Sequence, residues 1–219
     1  YYLVVPHRKY RIEKVYIYPG FDPKSAMADN KAYIEGLTSF KYKEFEFRHE
    51  GNLKADPTVI SQSVFIMPGE DYDAEKVKQS YKHLSSLRIY KFVNIVFEEK
   101  DPNDPYQHDY YPLVCHIQLS PTTSQSYTVE LEGTNSAGNL GIGGNLNYTH
   151  RNLFGGAENF TTRLSGAVET IREVNEQGYG NMIELGIEGR LTIPKFLLPF
   201  KTEQFIRKYN PKTSTSISF

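Results

Sequence analysis

With 219 residues, 39% of them hydrophobic and 14% aromatic, the chain has room for one or two domains with a real core. A formal net charge of −1 and the lack of a long basic run argue against a nucleic-acid partner held by electrostatics. The single Cys115 excludes an intrachain disulfide framework, and no apolar run is long enough for a membrane-spanning helix.

In chain order, Tyr1–Val5 before Pro6 reads as a strand left over from a preceding unit. Tyr10–Tyr18 (YRIEKVYIY) predicts a strand with Ile12, Val15 and Ile17 as its apolar residues. Gly20–Phe40 has little periodicity and several breakers, so it reads as an insertion or long loop. Tyr42–His49 alternates Phe45 and Phe47 with charged residues and predicts another strand. Asp56-Pro57 offers an N-cap and a first-turn proline for a short helix to about Val64. Asp73 caps a second helix, Ala74 to Leu87, with Val77, Tyr81 and Leu84 on one face. Strands follow at Tyr90–Glu98 and Leu113–Leu119, joined by the polar loop DPNDPYQHDYYP.

From Ser126 the pattern changes to segments of roughly ten residues with strict alternation. Tyr127, Val129 and Leu131 oppose Thr128, Glu130 and Glu132. Leu140, Ile142, Leu146 and Tyr148 oppose Asn145, Asn147 and Thr149, and Phe160, Leu164 and Val168 oppose Thr161, Arg163, Ser165 and Glu169. A fourth segment, Asn181–Ile193, follows the turn VNEQGYG, and TSTSISF reads as a strand beginning. Between them, IPKFLLPF packs apolar and aromatic residues between two prolines and reads as a buried loop or, only if these strands belong to a membrane barrel, as a rim segment at the interface. Such alternation gives a sheet with one apolar and one polar face, the sequence signature of a transmembrane β-barrel.

Two stretches carry a family resemblance. The turn Asn152-Leu153-Phe154-Gly155-Gly156, between a glycine-rich strand ending at Tyr148 and another alternating strand, resembles the start of the barrel in the bacterial surface antigen family. That family holds the BamA/TamA-like outer-membrane assembly factors and the two-partner secretion transporters. The run IMPGEDYDAEKVKQSYKHLSSLRIYKFVNIVFEE resembles the core of its POTRA (polypeptide-transport-associated) domain, with Tyr72, Leu84, Leu87 and Phe92 in place. The resemblance implies an α+β POTRA domain (strand-helix-helix-strand-strand) followed by antiparallel β strands from the start of a transmembrane β-barrel. In domains, residues 1–9 would end a preceding unit, 10–121 form the POTRA domain with an insertion near 20–55, and 122–219 supply the first barrel strands. Tyr10–Tyr18 is taken as the first POTRA strand, with Tyr42–His49 pairing alongside. The chain is read as an excised fragment.

Chemistry of other kinds finds little support. The six histidines show no metal-ligand spacing. Asp101, Asp104 and Asp109 supply oxygen ligands but lack the glycine and terminal glutamate of a calcium loop. Gly141, Gly143 and Gly144 sit inside a strand and open no helix, so they imply close backbone approach or curvature and no phosphate cradle. No nucleophile stands beside a base; no enzyme, metal or cofactor is expected.

Function is therefore expected at surfaces. The resemblance makes Tyr90–Phe97 the edge that accepts an extended peptide by strand addition, with Tyr90, Phe92, Asn94 and Val96 as the client- or partner-binding residues. It makes Tyr127, Val129, Leu131 and Gly133 the first barrel strand at a seam, with a cheap break in pairing at Gly133. Implied partners are unfolded outer-membrane proteins, periplasmic or lipoprotein accessory subunits and outer-membrane lipid, with no nucleic acid. The fragment is expected to self-associate through its open strands. Localisation follows as the bacterial outer membrane, with the POTRA portion in the periplasm. Three functions stand open: assembly of outer-membrane barrels, two-partner secretion of one exoprotein, and a soluble β-rich binding protein.

Overall fold

The computed structural model describes residues 8–100, 110–136, 139–172, 179–194 and 211–219. The expectations at Tyr1–Val5, at the acidic loop Asp101–Asp109, at 174–178 and at 195–200 lie outside these residues. The chain is a mixed α+β protein with two sheets, mostly strands, in two compact units that divide between Thr122 and Thr123.

The first unit contains β1 (Tyr10–Tyr18), α1 (Pro23–Ala28), α2 (Asn30–Glu35), β2 (Thr38–Tyr42), β3 (Phe45–His49), α3 (Pro57–Gln62), α4 (Ala74–Ser86), β4 (Tyr90–Glu99) and β5 (Tyr111–Pro121). Its sheet has the order β2-β3-β1-β5-β4. β1 lies parallel to both β3 and β5, while β2–β3 and β4–β5 are antiparallel. One face gathers Ile12, Val15, Ile17, Phe45, Phe47, Leu113, Cys115, Ile117 and Leu119, all buried, together with Val59 and Ile60 of α3 and Leu84 of α4. This is the core.

Both main helices start where a carboxylate meets free N–H groups. Asp56 accepts from Thr58 N–H at 2.8 Å, and Asp73 from Glu75 N–H at 2.8 Å. Three expectations differ from the structure. Of the two readings of Gly20–Phe40, the long loop is overturned: Asp22 and Asp29 cap α1 and α2, and β2 begins at Thr38. Tyr42–His49 is not one strand either, because Lys43 adopts φ 54° and turns the chain so that Tyr42 faces Phe45 across a hairpin. The buried face of α4 is also rotated from the expected one. Ser80, His83 and Leu84 are buried, whereas Tyr81 is exposed. Ser80 earns its place by hydrogen bonding: its hydroxyl donates to the Lys76 carbonyl at 2.8 Å and accepts from Phe65 N–H at 2.9 Å. His83 packs edge-on against the Phe65 ring.

The second unit is an antiparallel meander of β6 (Gln125–Ser136), β7 (Asn139–Arg151), β8 (Asn159–Arg172), β9 (Tyr179–Ile193) and β10 (Thr213–Ser218), in spatial order β10-β9-β8-β7-β6. β6 pairs with β7 without interruption through Gly133, which sits opposite Ile142.

Candidate functional site

The two edges of the first sheet differ. β2 is five residues long, and Lys41 is exposed along it, with Lys43 exposed at the hairpin turn that follows. Short length and lysines are the usual means of blunting an edge. β4 is ten residues long, and no described strand pairs with its outer side. Lys100 N–H bonds the Pro112 carbonyl, which fixes the antiparallel pairing. Even-numbered residues therefore turn their backbone groups to β5, and those of Val93, Ile95 and Phe97 point away from the sheet. β1 offers no comparable edge. Its outer side is occupied by β3 at Tyr16 and Ile17 and by Gly69–Tyr72 near Tyr10 and Ile12.

Of the expected edge residues, Phe92, Asn94 and Val96 share the face away from the helices and are exposed, Phe92 to 63%. Asn94 donates to the Gln118 side-chain oxygen at 2.9 Å. Tyr90 does not join them. A register shift between Tyr90 and Phe92 pairs Tyr90 with Pro121, turning it onto the helix-covered face, where it is buried. Among the described residues its hydroxyl has no hydrogen-bond partner, and burial raises its pKa.

Beside the edge, the same open face holds a polar aromatic cluster that the sequence reading did not single out. Tyr16 pairs in register with His116 and with Glu46, and its ring stacks on His116. The Arg48 guanidinium lies 3.9 Å over the Tyr16 ring and pairs with Glu46 at 2.9 Å. The Tyr18 hydroxyl is 3.0 Å from His116 Nδ1, and Glu98 of β4 lies 3.4 Å from Nε2. Burial lowers the His116 pKa, with Arg48 adding to that and Glu98 opposing it. Neutral His116 can then accept from Tyr18 and point an N–H towards Glu98, tying β1, β5 and β4 together. The parallel β1–β5 pairing, which brings residues roughly a hundred positions apart together, is invisible to local patterns.

In the second unit the ladder puts every expected apolar residue on one face. Val129 faces Leu146, Leu146 faces Leu164, and Leu164 faces Ile187; Ile142 faces Val168, and Val168 faces Ile183. Most of these side chains are open to solvent, from 40% at Leu146 to 85% at Leu131, while Tyr148, Phe160, Leu191 and Ile193 are half-buried. The other face carries Glu130, Glu132, Asn145, Asn147, Arg163 and Glu188, in the same register. Tyr127, Val129, Leu131 and Gly133 all lie on β6, the outermost strand on its side. Gly144 permits a close crossing: a Cβ there would stand 3.1 Å from the Leu131 side chain and 3.2 Å from the Glu130 carbonyl.

Asn152, Leu153, Phe154, Gly155 and Gly156 form the turn between β7 and β8. Asn152 and Ala157 both adopt left-handed φ, at 64° and 62°, and Gly155 stands at 90°. The Asn152 side-chain oxygen accepts from Ala157 N–H at 2.9 Å. Glu158 Oε2 accepts from Phe154 N–H at 3.1 Å and Gly156 N–H at 3.0 Å. Arg151 reaches back to the Thr123 carbonyl and the Ser126 hydroxyl.

No family model matches the chain, and no curated protein matches it. Among solved structures it is similar to BamA from Haemophilus ducreyi lacking POTRA domains 1–3, with 8% identity over 90% of this chain and 52% of that one, at a TM-score of 0.33. It is also similar to CdiB from Acinetobacter baumannii, with 7% identity over 97% of this chain and 55% of that one, at a TM-score of 0.40. The chain spans about half the length of either.

Among the described residues, no group of three or more His, Cys, Asp or Glu side chains is placed to hold a metal ion. Cys115 is fully buried in the core, and burial pushes its thiol up to about 12. No helix among the described residues is long and apolar enough to cross a membrane.

Proposed function

We propose that the chain is the POTRA-like unit and the first barrel strands of an outer-membrane protein that helps fold and insert other β-barrels. The observation that carries this reading is the apolar face of β6–β10. Its large aliphatic side chains align strand to strand and remain open to solvent. Burying each one is worth about 1.5–3 kcal/mol, so a sheet with this face needs an apolar medium against it. Lipid supplies that along a whole barrel wall while the polar face lines the interior.

In this reading, residues 10–121 lie in the periplasm, and the free edge of β4 takes up an extended segment of an unfolded client. Main-chain bonds to Val93, Ile95 and Phe97 supply affinity that tolerates varied sequence, and Phe92 and Val96 flank the bound strand. β6, as the outermost barrel strand, then offers a second template for pairing at the membrane. Accessory subunits, soluble or lipid-anchored, would compete for the same β4 edge.

The test is depletion of the full-length protein in the bacterium that makes it. Loss of many unrelated barrels from the outer membrane supports the assembly role. Loss of one secreted protein with the barrels intact would replace that role with two-partner secretion. No effect on either, with the protein in the soluble fraction, would overturn the membrane reading.

A further inference from the structure

The β7–β8 turn is more elaborate than a connection requires. Left-handed backbone at an alanine costs on the order of 1–2 kcal/mol, and Ala157 holds it while buried. Glu158 and Asn152 spend their side chains on the turn's own N–H groups, and Arg151 is directed back to Thr123 and Ser126. Both ionisable groups of the turn are thus tied to its own backbone or to the chain beside it, each remaining half-exposed. What the turn presents outward is Phe154, 76% exposed, with the Glu158 carboxylate held on its N–H and on that of Gly156.

The apolar face changes character towards this end. Tyr127 and Tyr148 are opposite each other with ring centroids 4.9 Å apart, and Phe160 follows one pair nearer the turn. Away from the turn the same face is aliphatic, with Leu131, Ile142, Val168 and Ile183. Aromatic side chains collect where hydrocarbon gives way to headgroups. We propose that this aromatic row marks the membrane boundary and that the pinned turn inserts Phe154 into the lipid interface, anchoring the first strands at a fixed depth. The proposal rests on the reading of β6–β10 as a membrane wall. An exposed aromatic on a rigid turn, continuous with the aromatic row of the apolar face, suits a lipid interface, and a preformed shape lowers the ordering cost of insertion.

The chain contains no tryptophan, so a single introduced indole reports its own surroundings. Phe154→Trp and, separately, Ile142→Trp are to be prepared in the full-length protein, with any tryptophan outside these 219 residues replaced by phenylalanine, and reconstituted into phosphatidylethanolamine–phosphatidylglycerol vesicles carrying bromine either near the carbonyls or near the chain ends. The proposal expects blue-shifted emission from both. Phe154→Trp should be quenched mainly by the shallow bromines and Ile142→Trp mainly by the deep ones. If Ile142→Trp is quenched while Phe154→Trp emits as in water, the anchor is refuted and the membrane wall stands. If neither is quenched, the wall reading fails and the anchor falls with it. If Phe154→Trp is shielded but insensitive to bromine at either depth, a protein surface covers the turn, and the lipid anchor is again overturned.

Discussion

Replacing Leu84 by alanine tests how the first unit is packed. Leu84 is fully buried on α4, the helix lying over β4, while Tyr81 one turn earlier is 53% exposed. Leu84→Ala removes three carbons, about 2.4 kcal/mol of transfer free energy at about 0.8 kcal/mol each. The cavity left beneath a helix that cannot fully collapse brings the expected loss to about 3–4 kcal/mol. Against a total of about 5–15 kcal/mol for a domain of this size, that is a large fraction. Tyr81→Ala should cost about 1 kcal/mol or less, since the ring is half in water already. Urea unfolding of residues 8–122, followed by circular dichroism, measures both, with an unchanged slope confirming that only stability has moved. A loss near zero for Leu84→Ala, or a larger loss for Tyr81→Ala, would refute this placement of the helix face.

Ile95→Pro, which removes an outward N–H at the β4 edge, should abolish binding of an extended client peptide with the unit still folded, whereas Ile95→Ala should retain most of it. Isothermal titration with both variants checks this, and equal losses would favour a side-chain pocket over strand addition. Acid should also weaken the first unit. His83 and His116 are both held below the ordinary imidazole value of 6.5, by burial first in each case and by Lys82 and Arg48 respectively in support. The unfolded chain takes up these protons near pH 6.5 and the folded chain only at lower pH, so stability is level above that value and declines as pH falls below it. Urea midpoints at about pH 7.5 and about pH 5.5 measure the effect, and a midpoint that rises on acidification would contradict it.

The sequence displayed most clearly what depends on neighbours in the chain. Alternation over Tyr127–Leu131 and Leu140–Tyr148 specified which residues share a face, because a strand has a period of two and the pairing kept that parity. Asp56-Pro57 and Asp73 marked helix starts, because a cap acts within three residues. Asp22-Pro23 carries the same signal as Asp56-Pro57, and α1 starts there. The hairpin at Lys43 was hidden, since neither Lys43 nor Glu44 announces a left-handed turn. Periodicity does not reveal the α4 face, because two of its buried positions are Ser80 and His83, satisfied by bonds and rings that only the fold supplies. Tyr90 was placed on the wrong face by the shift beside Phe92, which reverses parity with no residue to signal it.

The central claim is that one face of β6–β10 meets lipid and the other meets water. Cysteine substitution along β8 tests it most directly, in the full-length protein in its own membranes. Within these 219 residues the native background is silent, because Cys115 is fully buried and its thiol is pushed up to about 12, and any cysteine beyond them is replaced by serine. Arg163→Cys, Ser165→Cys and Ala167→Cys should react with a water-soluble maleimide, and Leu164→Cys and Val168→Cys only with one that partitions into the bilayer. A strict period of two along these five positions is the result the account predicts. Equal reaction of all five with the water-soluble reagent would contradict it.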